Sequence, residues 1–318
     1  VPPAIRTFRN TDIESLCRVW NAHYSDFGFT AHVDALRVEL CSLAKPYFVE
    51  RHLLVAEHDG QVVGFLHIGP TANGDLSDIA TDAATVSALC VVPCEREKLV
   101  ASALLVAADS VLRELGSKTC SFKPLLPNCP FYLGLGPADS IIGATALEKR
   151  ACGWLVAAGY EASIPTNLWE LELAKFQAPV DRIQIQIRRS AHVDRQVDEP
   201  LLPWWQACVL GHTEPNAFQL THRTEKRVLN EALFWSVATE IRPLPDSVVW
   251  LWPPSLPLDE AAADQLVFLL GEACRQLQNE RIDSVRTVSA ANDVTINKVL
   301  RRIGFVAVQS GVVFEKRY

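Results

Sequence analysis

VSALCVVPCEREKLVASALLVAADSVLREL, residues 86–115, carries three elements in one run. Val86–Val91 suits a buried strand, Pro93 breaks it, and a short polar loop leads into a helix. Val100, Ala103, Leu104, Ala107, Ala108, Val111, Leu112 and Leu115 recur at three- and four-residue intervals, which puts them on one helical face. A helix start exposes N–H groups and the positive end of the helix dipole, so the loop before it can hold a phosphate.

Upstream, Ile5–Phe8 reads as a strand, and Thr11 with Glu14 has the capping-box spacing of a helix start. Ile13, Leu16, Cys17 and Trp20 line one face of that helix, and Val33–Leu43 reads as a second helix. Two alternating runs, His52–Glu57 and Gln61–Ile68, meet at Asp59-Gly60, a tight-turn pair that predicts a hairpin. Downstream come a strand at Thr119–Pro124, a loop with Asn128 and Pro130-Phe131-Tyr132, and a helix from about Thr145 that Gly159 closes. Asn167–Leu173 is the last strand of this half.

Lys175–Val180 reads as a linker, after which the pattern partly restarts as an internal repeat. Arg182–Arg189 alternates like a first strand, and helices are expected at Leu201–Leu210 and Glu225–Ile241. Then follow a strand at Ser247–Trp252, a helix at Asp259–Gln278, a strand at Ser284–Ser289, a helix at Val294–Ile303 and a strand at Val306–Glu315. No second hairpin is evident.

Two stretches carry a family resemblance. Val91-Val92-Pro93 followed by Arg96-Glu97-Lys98-Leu99-Val100-Ala101 is similar to the V-x-P strand end and Q/R-x-x-G-x-G/A loop of the GNAT superfamily of N-acetyltransferases. Gly159-Tyr160 before a last strand, and Gly304-Phe305 before the other, resemble the ending of the same fold. The resemblance implies an α/β fold with a mixed sheet in two acyl-CoA N-acyltransferase-like domains. Residues 1–176 form the acyl-CoA-binding half, and residues 179–318 form a degenerate half that packs against it or shapes its acceptor cleft. Each half is expected to keep its own sheet. Leu99 stands where the family has a glycine, and Glu97 places a carboxylate beside the expected pyrophosphate. In the second half Pro253, Pro254 and Pro257 occupy the loop, and proline removes donors a phosphate would need.

The same resemblance assigns the cofactor-binding residues. The backbone of Leu89, Cys90 and Val91 would meet the pantetheine of acetyl-CoA. Arg96, Lys98 and the N–H groups of Leu99, Val100 and Ala101 would meet the pyrophosphate, with Asn128 contacting the pantetheine or adenosine end. Transfer to an amine then needs a base, an N–H donor for the carbonyl oxygen and an acid for the thiolate. The family often has Glu on the central strand and Tyr on the last helix, where this chain has Ser87, Leu155 and Leu300. Tyr132 is the substitute candidate for the acid, and Asp78, with Asp75 and Asp82 nearby, for an amine contact or proton relay. Their bland readings are an aromatic plug in a core and a solvated acidic loop.

Composition narrows the classes. A net charge of -7 points away from nucleic acid as the main partner, and 49% hydrophobic residues over 318 positions suffice for two cores. No apolar run reaches membrane-span length, and VPPAIRTFRN lacks a signal-like apolar core, so a cytoplasmic location is expected. Nine scattered cysteines without a C-x-x-C pair indicate neither a disulfide framework nor a metal site. With no G-x-S-x-G and no H-E-x-x-H, hydrolase and metalloprotease readings fail. Two functions stand: an N-acyltransferase acting on a small-molecule or peptide amine, and a catalytically silent homologue that binds a ligand or partner.

Overall fold

The computed structural model describes residues 2–25, 32–135, 140–196, 198, 200–239, 241, 247–254 and 258–318. The first half runs β1 (Ala4–Thr7), α1 (Ile13–His23), α2 (Ala35–Val38, continued by a π turn at Glu39–Leu43), β2 (Leu53–His58), β3 (Gln61–Ala72) and β4 (Ile79–Val91). It continues with α3 (Glu97–Glu114), β5 (Thr119–Phe122), β6 (Ala144–Thr145), α4 (Lys149–Ala157) and β7 (Glu161–Glu172). The second half runs α5 (Arg182–Ser190), β8 (Ala191–Arg195), α6 (Trp204–Leu210), β9 (Thr213–His222), β10 (Val228–Val237) and β11 (Val248–Leu251). It ends with α7 (Glu260–Asn279), β12 (Ser284–Ala290), α8 (Val294–Ile303) and β13 (Val306–Arg317).

From β8 onward the strand and helix order of the first half is repeated, including the single parallel pairing in each half, β4 with β5 and β11 with β12. The two halves do not keep separate sheets, which corrects the expectation from sequence. One sheet runs β1-β2-β3-β4-β5-β13-β7-β12-β11-β10-β9-β8. β13 lies between β5 and β7, and β7 between β13 and β12, so each half's last strand is inserted into the other half. Gly311 is needed there, because a Cβ at that position would stand 2.2 Å from the Ile142 carbonyl oxygen.

Three apolar cores result. α3 and α4 cover one face of the first half through Val100, Leu104, Leu112 and Leu155, with Phe314 of β13 packed among them. α7 and α8 cover the same face of the second half through Leu266, Leu270, Leu300 and Ile303. The other face of the sheet is shared: Trp20, Tyr47 and Tyr132 from the first half pack in one cluster with Trp205, Trp235 and Trp252 from the second. Fully burying a leucine contributes roughly 1.5–3 kcal/mol, and truncating Leu104 at the centre of α3 is expected to cost about 2–5 kcal/mol.

Local signals explain what the sequence reading caught and missed. Asp59 and Gly60 both take positive φ, 51° and 73°, as the hairpin turn between β2 and β3 demands. The capping box does not form at Thr11 and Glu14; Asp12 instead accepts the Arg9 N–H at 2.8 Å and pairs with Arg6 at 2.7 Å. Residues 182–189 are helical and not a strand, because the Asp181 carboxylate accepts the N–H groups of Ile183 and Gln184 and starts a turn. Residues 228–237 are a strand and not a helix. Ala232 and Phe234 enter one core while Leu233 and Trp235 enter the other, so the run is apolar on both faces and loses its alternation. With β9 this strand forms a second hairpin, against expectation.

Candidate functional site

In the first half β4 and β5 pair in parallel from Ala83–Thr119 to Val86–Phe122, and then separate. The β3–β4 register slips at this level, where His67 pairs with Ala88 and Ile68 with Val86, leaving Ser87 as an extra residue. Such a bulge bends its strand locally. Beyond it, Val92 donates to Val63, so the ladder alternation turns the N–H and C=O of Leu89 and Val91 away from β3 and into the gap. Thr85 Oγ1 and Ser87 Oγ are buried at this place with no hydrogen-bond partner.

Side chains from distant segments fill the gap. His23 Nδ1 lies 3.1 Å from the Val91 carbonyl and 3.3 Å from its N–H, and burial pulls the imidazole down to a pKa of about 4. Tyr24 sits against the Cys90 thiol, and burial pushes its hydroxyl well above the ordinary tyrosine range. Lys123, which follows β5 with φ 50°, reaches Glu148 at 2.5 Å, and both side chains are almost wholly enclosed at 1% and 3% exposed. Glu148 is doubly used, since its other oxygen accepts the Thr145 N–H at 3.0 Å.

The start of α3 stands beside this gap. Leu99 and Val100 donate their N–H groups to the Arg96 carbonyl, so these two donors are spent within the helix and are not free for a pyrophosphate, against expectation. Ala101 belongs to the regular ladder of the same helix. Glu97 is neutralised by Arg150 at 2.9 Å, and Arg150 also donates to the His23 carbonyl at 3.2 Å, which makes a bridge from α4 to α3 across the gap. Arg96 reaches His58 at the hairpin tip, and Lys98 is exposed. The groups gathered here are the outward backbone of Leu89 and Val91, the unpartnered Ser87 hydroxyl and the cations Arg96, Lys98 and Arg150.

Asp78 and Asn128 are brought together, lining a cavity of about 760 Å³ on the sheet face opposite α3. Asp82, Ser121 and Glu315 line it too, so its polar wall is acidic. Asp75 lies outside it, with its carboxyl held below the usual range by the Ser77 hydroxyl and N–H. Tyr132 does not line this cavity. It is enclosed in the shared core, with its hydroxyl 2.8 Å from His67 Nδ1 and pushed far above its usual pKa by burial. The tyrosine in the gap is Tyr24. His23, Tyr24, Lys123, Glu148 and Arg150 were not singled out from sequence, and no spacing among them marks a site.

The corresponding place in the second half is closed differently. β11 and β12 pair from Val248–Ser284 to Trp250–Arg286, and Thr287 Oγ1 then donates to the Leu251 carbonyl at 2.9 Å, bridging the strands where they would part. Asp259 caps α7 by accepting the Ala262 N–H at 2.7 Å, which puts a carboxylate where an anion would sit. Pro253 and Pro254 precede it, and Pro257 lies outside the described residues.

No family model and no curated protein matches the chain. Solved structures do. The GCN5-related glucosamine N-acetyltransferase region of a fungal multi-domain GH3 beta-N-acetylglucosaminidase superposes with a TM-score of 0.71 at 15% identity, over 99% of this chain and 38% of that one. The chain thus spans well under half of that longer protein. A tandem GNAT protein from the clavulanic acid biosynthesis pathway matches with a TM-score of 0.63 at 15% identity, covering 99% and 98% of the two chains. A GCN5-related N-acetyltransferase from Sphaerobacter thermophilus gives 0.60 at 11%, covering 99% and 95%. The chain therefore has the tandem GNAT fold. Among the described residues no helix is long and apolar enough to cross a membrane.

Proposed function

We propose that this tandem GNAT-fold chain moves an acyl group, acetyl in the simplest case, from acyl-CoA to a small-molecule or peptide amine, and that residues 1–176 hold the working site. The observation that carries the reading is the asymmetry between the gaps: the outward-facing edge at Leu89 and Val91 stands beside a helix start with Arg96, Lys98 and Arg150 around it, whereas the matching Leu251 carbonyl accepts Thr287 Oγ1 and the Asp259 carboxylate caps α7. The second half, residues 179–318, completes the sheet through β13 and walls the shared core.

In this reading Arg96, Lys98 and Arg150 balance the phosphates, and Arg150 also cancels the repulsion of Glu97. Two opposite charges 4 Å apart interact by about 4 kcal/mol at an effective dielectric of 20, so the pairing matters. Asp78 and Asn128 orient the ammonium group in the acidic cavity. The amine gives one proton to the Asp78 carboxylate and attacks the thioester carbonyl of acyl-CoA; the C–S bond breaks, the leaving thiolate takes the Tyr24 proton, and the amine's protons return through water to Tyr24 and to solvent. His23 must leave Val91 for the gap to admit a pantetheine.

A second reading rests on those same occupants: His23 on Val91 and the enclosed Lys123–Glu148 pair could close the gap permanently, leaving a silent homologue. Thermal unfolding with acetyl-CoA separates the two. A ligand at a hundred times its dissociation constant stabilises by about 2.7 kcal/mol. A rise in melting temperature, with thiol released in the presence of an amine panel, supports transfer. No rise at millimolar acetyl-CoA, in the wild type and in His23→Ala alike, establishes the silent reading.

A further inference from the structure

A second, larger cavity of about 1100 Å³ lies where the two halves meet, and the acyl-transfer reading makes no use of it. The first half contributes the β3–β4 turn at Asp75 and Leu76 and the loop at Leu126 and Pro127. The second contributes Gln206 of α6 and the chain before it, the middle of β9 and β10, and the chain leaving β11. The walls are pinned together: Trp205 donates its backbone N–H to Leu76 at 2.9 Å and its indole N–H to Pro127 at 2.7 Å. Only a tandem chain can build this space.

Its chemistry is specific. Gln206, next to that tryptophan on α6, is 7% exposed and lines the cavity, yet its side-chain amide makes no hydrogen bond with any described residue. The amide itself opens on the cavity, so its donors and acceptor are free to meet a ligand group there. Carboxylates stand at the rim, from Asp75, Asp198 and Glu231, the last accepting from Gln219 at 2.6 Å. No lysine or arginine is among the described residues that line the space. Trp252 and Leu233 also line the space and give it an apolar wall with an aromatic member.

We propose that this inter-half cavity binds a small organic cation: a protonated amine among the rim carboxylates, an apolar or aromatic body against Trp252 and Leu233, and a hydroxyl or carbonyl group met by Gln206. The cavity adjoins the acidic one at Asp78 along Gly74 and Leu126, but the amide and carboxylates named here line only the inter-half space, and the proposal stands whether or not the first half transfers acyl groups. Acidic groups near an aromatic face attract organic cations by charge and by the ring quadrupole together. The amide sets which neutral group is accepted, because a ligand that covers it without pairing it displaces water at a cost in affinity.

Tyramine is a suitable probe, having an ammonium group, an aromatic body and a hydroxyl. Titrated into the full-length chain, it should shift the Gln206 side-chain amide resonance saturably, the resonance being assigned by its loss in Gln206→Leu. 3-(4-Hydroxyphenyl)propionate, which has a carboxylate in place of the ammonium, should not compete. Glu231→Gln, a surface change, should weaken tyramine several-fold, and added salt should reduce its affinity. Gln206→Leu should weaken tyramine about tenfold, roughly one lost hydrogen bond, while leaving phenethylamine unchanged. A cavity that takes no tyramine at millimolar concentration, or takes the carboxylate analogue equally well, overturns the proposal. Equal loss of tyramine and phenethylamine in a folded Gln206→Leu chain overturns the role of the amide.

Discussion

The gap beside β4 in the first half and its counterpart beside β11 in the second have the same topology and opposite fates. In the first, the strand edge at Val91 is met by the His23 side chain, and the helix start is crossed by a surface-accessible Arg150–Glu97 bridge. In the second, a threonine bonds the strand end, prolines remove donors and a carboxylate caps the helix. Repetition of a fold thus preserves the scaffold and not the site. One repeat can lose its donor edge at little cost, because its strands serve the shared sheet in either case.

The largest effect that could break this comparison lies in the exchanged strands. Ending the chain before Val306 removes the strand between β5 and β7, and with it the ladders to both halves. Such a chain should show no cooperative thermal transition by circular dichroism. Residues 1–176 alone should behave likewise; a cooperative melt of that fragment would show the halves to be independent.

Next comes the enclosed pair in the first gap. Glu148→Gln leaves Lys123 buried without a charged partner, and removing one member of a buried pair costs about 3–5 kcal/mol. Urea unfolding of the variant should show that loss, whereas Thr287→Val in the second gap removes one neutral hydrogen bond and should cost about 1 kcal/mol. Equal effects would mean that the two gaps are structurally equivalent.

Acid should reach the first gap through its histidine. The folded pKa of His23 is depressed to about 4, and that of His212 in the shared core also to about 4, by burial. The unfolded chain therefore binds these protons first. Stability is fully present above about pH 6.5 and is lost as pH falls toward 4, by on the order of 3 kcal/mol per histidine. His23→Gln should flatten part of that fall in denaturant midpoints measured between pH 7 and 4.5; an unchanged profile would remove His23 from the account.

The smallest effects concern charge at the start of α3. Glu97→Gly should tighten CoA binding and Arg96→Ala should weaken it, each by about 1 kcal/mol and less at high salt. Calorimetry in which neither change alters affinity, while Arg96→Ala only lowers the melting temperature, would make the loop structural.

Much of the first half is legible in its sequence because punctuation marks it: Asp59-Gly60 fixes a hairpin, Pro93 ends a strand, and Gly159, with φ 84°, closes a helix. The hairpin of the second half was hidden because Phe234 and Trp235 are buried on opposite faces. The exchange of β7 and β13 was not legible, since a strand's own residues do not name the strands beside it. Likewise the helix start at Arg96–Lys98 can be located from one run, but its neighbours cannot. His23, Lys123 and Arg150 come from three separate segments, and the positive φ of Lys123 follows from tertiary packing and not from a glycine.

The most direct test of the central claim is hydrogen exchange read by mass spectrometry on the full chain with and without acetyl-CoA. The account predicts one ligand per chain and slowed exchange in peptides covering Ser87–Val91 and Arg96–Ala101, with no change in those covering Val248–Leu251 and Glu260–Ala262. Protection of the second pair of segments, or of neither pair in a chain where His23→Ala has cleared the gap, would contradict it.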